Sequence, residues 1–472
     1  MPGPAMRRLT DLVPSRRDLL HWGGLALAGT WVDGLVWPLN IRASGAAVTP
    51  RGTAKNVIFI ELGGAISPMD CWDFKETRWT PQDLDVTEVS KGLYLSRTLV
   101  PQLSKEMHRV GLVRSMQAPE LIHFNGQYHT QAGRALNPAI AREIPAFGSV
   151  VAFELAKQRR ERDTFPTYIS TNLTKARAGS IGSGFLPTWT TGLDLDPSTV
   201  FAAFGGDMTG ANAVLSERWE LLTALSKINE GQRQAMGQKA ADYQTFYDDA
   251  HKLLTDARWP SVFQASTDDR VRYGDDEFGL GCILARNLLA QQAGTRMVYI
   301  YDGDRWDHHA GIFDKSAEWN HYRTCTRLDK GLVSLIHDLA KAPGSAAGKT
   351  LLDETMIVCQ SEFGRTPGMN PVNGRDHWKG AYTGLYVGGG IAGGRILGST
   401  NADGSAVVDT GWRHKTQPFM DNTVATIYSA LGIDWTKVVE NTPSGRAYHY
   451  VDTVSLGGAA MMEADEIGDL FA

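Results

Sequence analysis

Three stretches of the chain concentrate side chains that could bind a cation or attack an ester. The first is TMIVCQSEFGRTPGMNPVNGRDHW, residues 355–378, which carries Glu362, Asp376 and His377 together with Arg365 and Arg375. Carboxylate oxygens mixed with imidazole nitrogen suit a divalent cation. The two guanidinium groups could hold the oxygens of a phosphate or sulfate. The plain alternative is a solvated loop with internal ion pairs, since such pairs also gather acids, bases and arginine. The second stretch, DGDRWDHH at 302–309, packs three Asp and two His into eight residues. Asp307 and His309 form a D-x-H pair, and Asp304 and His308 a D-x-x-x-H pair. Either could converge on one cation from a loop. The third stretch follows Gly63-Gly64 and offers Ser67, Asp70, Asp73 and Lys75. Ser67 could attack if a base or a metal lowered its pKa, but no GxSxG elbow surrounds it. A turn or helix-cap serine is the other reading. His123 and His129, six residues apart, do not match a helical metal pair, and are expected to line the site or serve the structure rather than ligate.

Each of the three stretches leaves the end of an apolar run. Lys55–Leu62, Arg296–Tyr301 and Thr355–Cys359 are short, rich in β-branched and aromatic residues, and read as buried strands. Open α/β sheets place ligand sites outside the carboxyl ends of their strands, so the stretches should meet along one edge. Further strands are expected at Arg109–Met116, Thr167–Ser170 and Thr383–Val387, with His123 and His129 in the loop after the first of these. Helices are expected at Phe147–Lys157, Leu280–Gln292, Ser316–Ala340 and Asn422–Leu431. In the third, Leu328, Leu332, Leu335 and Leu339 fall on one face. The stretch 179–197 reads as a long loop or cap, and about 211–256 as an inserted helical layer. The connector GSAAGKT at 344–350 is one residue short of a P-loop and runs from helix to strand, the wrong order. GGGIAG at 388–393 precedes an extended rather than a helical segment, so it reads as a Gly-rich hairpin and not as a dinucleotide site.

A chain of 472 residues with 42% hydrophobic and 21% charged residues can bury a large core. Its net charge of −5 argues against a nucleic-acid partner, which would require a basic face. Residues 1–46 read as a twin-arginine leader. Arg16-Arg17 precedes an apolar run to about Leu39, and small residues at 43–47 would serve cleavage. Asp33, Gly23, Gly24 and Gly34 weaken the alternative of a membrane anchor, and no permanent span is expected. Losing the leader removes five Arg and three Asp and takes the net charge to −7. Cys71, Cys282, Cys325 and Cys359 are too far apart in sequence for a zinc knuckle or a disulfide framework.

The order strand-Gly-Gly-Ser, strand-Asp…Trp-Asp-His-His, strand-Ser-Glu-Phe-Gly-Arg, then Gly-Arg-Asp-His-Trp resembles the alkaline phosphatase and sulfatase superfamily. More closely it resembles the twin-arginine-exported family called domain of unknown function 1501. The motifs are Gly63-Gly64, Asp70-x-x-Asp73-x-Lys75, Arg114-Ser115-Met116, Gly184-Phe185-Leu186, Trp306-Asp307-x-His309, Glu362-Phe363-Gly364-Arg365-Thr366-Pro367 and Gly374-Arg375-Asp376-His377-Trp378. Glu362-Phe363 stands where the superfamily usually has Asp-His. The resemblance implies a three-layer α/β/α sandwich with a mostly parallel central sheet, forming one domain over 47–472. It further implies a hydrolase of phosphate or sulfate esters, periplasmic or secreted, acting on a small-molecule or glycan ester at one or two divalent ions. Zn or Mn is favoured by the histidines, with Ca or Mg open. In that reading Asp307, His309, Glu362, Asp376 and His377 bind metal, and Ser67 or water attacks with Arg365 steadying charge. Asp70, Lys75, His123, His129 and Arg375 then contact substrate. A catalytically silent scaffold on the same fold, using tryptophans such as Trp189 and Trp412 for glycan, is the competing class.

Overall fold

The computed structural model describes residues 39–43, 48–204, 209–228, 238–452 and 463–472. Its centre is an eight-stranded sheet built from β1 (Asn56–Glu61), β2 (Val110–Met116), β3 (Tyr168–Thr171), β4 (Leu193–Leu195), β5 (Met297–Tyr301), β6 (Thr355–Gln360), β7 (Tyr382–Val387) and β8 (Ile396–Leu397). The order across the sheet is β8-β2-β7-β6-β1-β5-β3-β4. All pairs are parallel except those made by β7, which runs antiparallel between β6 and β2.

Strands β1, β5 and β6 are buried along their whole length, as expected of parallel strands covered on both faces. Alternation sends their side chains to two cores. Val57, Phe59, Tyr299, Met356 and Val358 join one core, and Ile58, Ile60, Val298, Ile300, Ile357 and Cys359 join the other. Five helices complete the layers: α1 (His123–Ala132), α2 (Phe147–Leu155), α3 (Glu277–Ala290), α4 (His321–Lys341) and α5 (Met420–Ala430). Helices α3 and α4 pack on the second core, and α2 and α5 on the first. On α4 the stripe Leu328, Leu332, Leu335 and Leu339 is fully buried, each side chain contributing about 1.5–3 kcal/mol. The fold is thus a three-layer α/β/α sandwich with a mixed, mostly parallel sheet.

Several sequence expectations need correction. Helix α4 starts at His321 and not at Ser316, because the Asn320 side chain accepts from Arg323 N (3.1 Å) and caps it there. The stretch expected to be loop at 179–197 contains β4, a three-residue edge strand paired with β3. The Gly-rich segment after β7 is not a hairpin: it crosses to β8, which lies parallel on the far side of β2. Of the expected leader, residues 1–38 and 44–46 lie outside the described residues. Ile41–Ala43 pairs antiparallel with Lys437–Val439. Helices occupy Thr209–Ile228 and Gln238–Thr255, joined by Trp219 stacked on His251 at 4.0 Å. No helix among the described residues is long and apolar enough to cross a membrane.

Candidate metal centre

The carboxyl ends of β1, β2, β3, β5 and β6 open on one edge of the sheet, and the three chemical stretches meet there. The turn after β1 is tight. Gly64 has φ +93°, and a Cβ on it would fall 2.5 Å from Asp307 N. Ala65 follows with φ 69°, a conformation that costs a non-glycine residue energy and is held here by its surroundings. Its carbonyl accepts from Arg365 Nε at 3.1 Å. Beyond β6, Gly364-Arg365 forms a two-residue antiparallel ladder with His377-Trp378, with Arg365 opposite His377. This ladder folds the GRDHW motif back over the strand end.

Four donors converge: His123, Asp307, His309 and His377, whose ligand atoms all lie within 4.8 Å of one another. Asp307 Oδ1 is 3.1 Å from His123 Nε2, 3.1 Å from His309 Nε2 and 3.5 Å from His377 Nε2. The Nε2 atoms of His309 and His377 are 2.8 Å apart. Four donors at about 2.0–2.2 Å from one tetrahedral ion would be roughly 3.3–3.6 Å from each other, slightly wider than this spacing.

The opposite ring nitrogens fix the tautomers. His123 Nδ1 lies 2.7 Å from Glu362 Oε1, His309 Nδ1 2.9 Å from Asp376 Oδ1, and His377 Nδ1 2.6 Å from the Leu121 carbonyl. Carbonyl and carboxylate oxygens accept here, so each Nδ1 carries a proton, and each ring in its neutral form presents a bare Nε2. His123 Nε2 is buried and its 3.1 Å contact with Asp307 Oδ1 lacks hydrogen-bond geometry, and Arg365 Nη1 points at His309 Nε2 (3.4 Å). Three lone pairs and a carboxylate oxygen facing one point repel unless a cation lies between them, and the donor set therefore fits a divalent metal. Without one, burial disfavours a charged His123 ring, but Asp307 and Glu362 outweigh it and raise its pKa to about 9. Burial also opposes the Asp307 charge, yet His123, His377 and Arg365 hold its carboxyl well below the usual range.

The expected site residues are distributed differently from the sequence reading. Glu362 and Asp376, expected as ligands, lie behind histidines and orient them, the arrangement usual around protein-bound metals. Glu362 also accepts from Gly64 N (3.0 Å). His123, expected as a lining residue in a loop, opens α1 and aims into the cluster. His129 sits on another face of α1 and pairs with Asp421 at 2.6 Å, because six residues along a helix is 240°. Its ring serves the α1–α5 contact. Arg375 is buried and grips Asp70 in two bonds of 2.6 and 2.8 Å. Ser67 Oγ donates to the same Asp70 carboxylate at 2.6 Å and is 1% exposed. Lys75 pairs with Asp73 (3.2 Å), which also takes Arg114 and Thr400. Asp70, Arg375 and Lys75 are therefore engaged in internal pairs instead of facing a substrate. Arg365 is buried too: it donates to the carbonyls of Gly64, Ala65 and Arg375 and to Asp307 Oδ1 at 2.5 Å, bracing the ligand carboxylate. Of the two Asp-His pairs in DGDRWDHH, only Asp307/His309 reaches the cluster.

Sequence reasoning missed three contributors. Phe363, fully buried, packs against the rings of His123 and His377 (centroids 5.0 and 4.7 Å) and closes the apolar side of the cluster. Glu61 at the end of β1 is buried beside Glu362, and desolvation with that neighbouring charge pushes its pKa well up; Thr130 and Tyr299 donate to it. Arg177, after β3, is 47% exposed and reaches Asp304 (2.6 Å) and Asp307 Oδ2 (3.1 Å). Nothing in its sequence neighbourhood marks it.

The profile of the family described as "Protein of unknown function (DUF1501)" matches residues 54–456. The chain belongs to the DUF1501 family. No relative is found among curated proteins. Among solved structures, the lipoteichoic acid synthase LtaP from Listeria monocytogenes is 10% identical with a TM-score of 0.39, over 84% of this chain and 76% of its own. A protein in the alkaline phosphatase superfamily from Vibrio parahaemolyticus is 11% identical with a TM-score of 0.34, over 90% and 78%. The PsFucS1 sulfatase from Pseudoalteromonas sp. is 11% identical with a TM-score of 0.37, over 88% and 74%. Such scores leave the architecture of this DUF1501 protein to rest on its own sheet order and layers, and its chemistry on the histidine cluster.

Proposed function

We propose that this DUF1501 protein is an exported, metal-dependent hydrolase of phosphate or sulfate esters with a single-ion centre. One observation carries the reading: three histidines, each with Nδ1 held by an acceptor, turn bare Nε2 atoms toward Asp307 Oδ1. Three imidazoles with one carboxylate favour a transition metal over an oxygen-seeking cation, and zinc or manganese is the assignment. An ion held by these four donors would need a fifth position for water or an ester oxygen, where it would lower the pKa of the one and polarise the other.

The chain's own groups divide the remaining work. Glu362, Asp376 and the Leu121 carbonyl keep the rings in the ligating tautomer. Arg365 holds the Asp307 carboxylate in position from below. Arg177 is the exposed cation at the cluster; exchanging Asp304 for an anionic oxygen would let it orient an ester and take up charge as the bond breaks. Ser67 is buried and committed to Asp70, so water is assigned as the nucleophile. The pair Arg16-Arg17 with its apolar run supports twin-arginine export.

Two measurements test this reading. Protein purified without chelator should carry about one transition-metal ion per chain, lost on mutation of His309 and His377 to Ala. A panel of phosphate and sulfate esters should then show turnover only in the metal-loaded protein. Full metal occupancy with no turnover across the panel would replace the hydrolase by a silent binding protein.

A further inference from the structure

Beside the cluster the surface changes character. Leu121, Ile122 and Phe124 are 40%, 62% and 45% exposed. These are three of the ten large hydrophobic side chains exposed among the described residues, and they fall within four consecutive positions. Isolated exposed apolar residues need no explanation, but a group of three within four positions beside the donor cluster does. The group is joined to the centre through its backbone. The Leu121 carbonyl fixes the His377 ring, Ile122 is the extended cap residue of α1, and His123 is a ligand. Because the His123 ring turns into the cluster, its neighbours Ile122 and Phe124 are left on the outer side. The centre thus has an anion-seeking side at Arg177 and a greasy side at the start of α1.

We infer that the ester taken by this centre has an apolar alcohol portion, an alkyl or aryl group, that seats on Leu121, Ile122 and Phe124 while its anionic head meets the metal and Arg177. The inference rests on the anionic-ester reading above and adds the substrate class. It is a statement about binding, so it can be tested apart from turnover.

Zinc-loaded protein should be titrated calorimetrically with methylphosphonate and with octylphosphonate, which present the same head and are not esters. Each methylene buried adds about fourfold in affinity, so the octyl compound should bind at least tenfold more tightly even if only a few methylenes are covered. In the Ile122→Ser, Phe124→Ser double variant that gap should shrink to less than threefold, with zinc content in the same samples reporting on the fold. Equal affinities in the native protein, or a gap that survives the double substitution, would overturn the apolar-alcohol assignment alone. Failure of both phosphonates to bind zinc-loaded protein would overturn the anionic-ester reading and this inference with it. A third outcome also overturns it: the native protein sediments with phosphatidylglycerol vesicles, the double variant does not, and neither shows a chain-length preference. The patch would then dock a membrane.

Discussion

His308 and His309 are neighbours in sequence and belong to different regions of the molecule. His309 joins His123 and His377 at the sheet edge, where each ring is backed by an acceptor and faces Asp307. His308 turns the other way, toward His321 at a ring distance of 5.9 Å, among Trp306 and Phe313. His308 Nε2 and both His321 nitrogens are buried without partners. Burial pushes the pKa of His308 down to about 3 and that of His321 to about 4; Arg365 adds to the effect at His308, whereas Asp70 partly opposes it at His321. In the first region acceptors behind the rings make imidazole a better ligand; in the second, desolvation keeps it neutral and structural. The backing group, and not the density of histidines, separates the two.

The largest effect that should follow from this contrast is on metal content. His123→Ala should abolish stoichiometric metal by elemental analysis, whereas His308→Phe should retain it; metal loss in both would erase the distinction. Next come the acceptors behind the rings. Glu362→Gln and Asp376→Asn should each weaken metal affinity about 10–100-fold in competition with a chelator. The buried Glu362 should lie at the upper end and the exposed Asp376 at the lower. The pH dependence of the second region is smaller. His321 is neutral in the fold with a pKa of about 4, while an unfolded histidine titrates near about 6.5. Its contribution is therefore fully present above about pH 6.5 and falls as pH drops toward 4. Between pH 7.5 and 5 the native protein should lose roughly 2 kcal/mol more than His321→Phe in urea unfolding, and parallel losses would contradict the assignment. The smallest effect belongs to the exposed Arg177. Arg177→Gln should leave metal bound and raise KM for anionic esters about two- to fivefold, the scale of an exposed ion pair.

The β-strands were legible because buried parallel strands are uninterrupted apolar runs, and the edge where their loops meet followed from strand direction. His309, His377 and Asp307 stood out as dense motifs close to strand ends. The roles of Glu362 and Asp376 were not legible, since a carboxylate beside a metal and one behind a histidine leave the same trace in sequence. The donor role of His123, expected only to line the site, was hidden for a related reason: its acceptor, Glu362, lies 239 positions away, and its own neighbours are apolar. Strand β4 escaped notice because three residues at a sheet edge carry too little pattern. Asn320 shows the converse, a one-residue cap that a broad periodic stripe on α4 overran.

The central claim concerns which atoms surround the ion. Crystals of the zinc-loaded protein, with anomalous scattering recorded on either side of the zinc edge, would locate it directly. The account predicts one peak with His123 Nε2, His309 Nε2, His377 Nε2 and Asp307 Oδ1 at about 2.0–2.2 Å, and Glu362 and Asp376 still bonded to Nδ1 atoms. A peak coordinated by the oxygens of Glu362 or Asp376, or one that leaves His123 in the second layer, would contradict it.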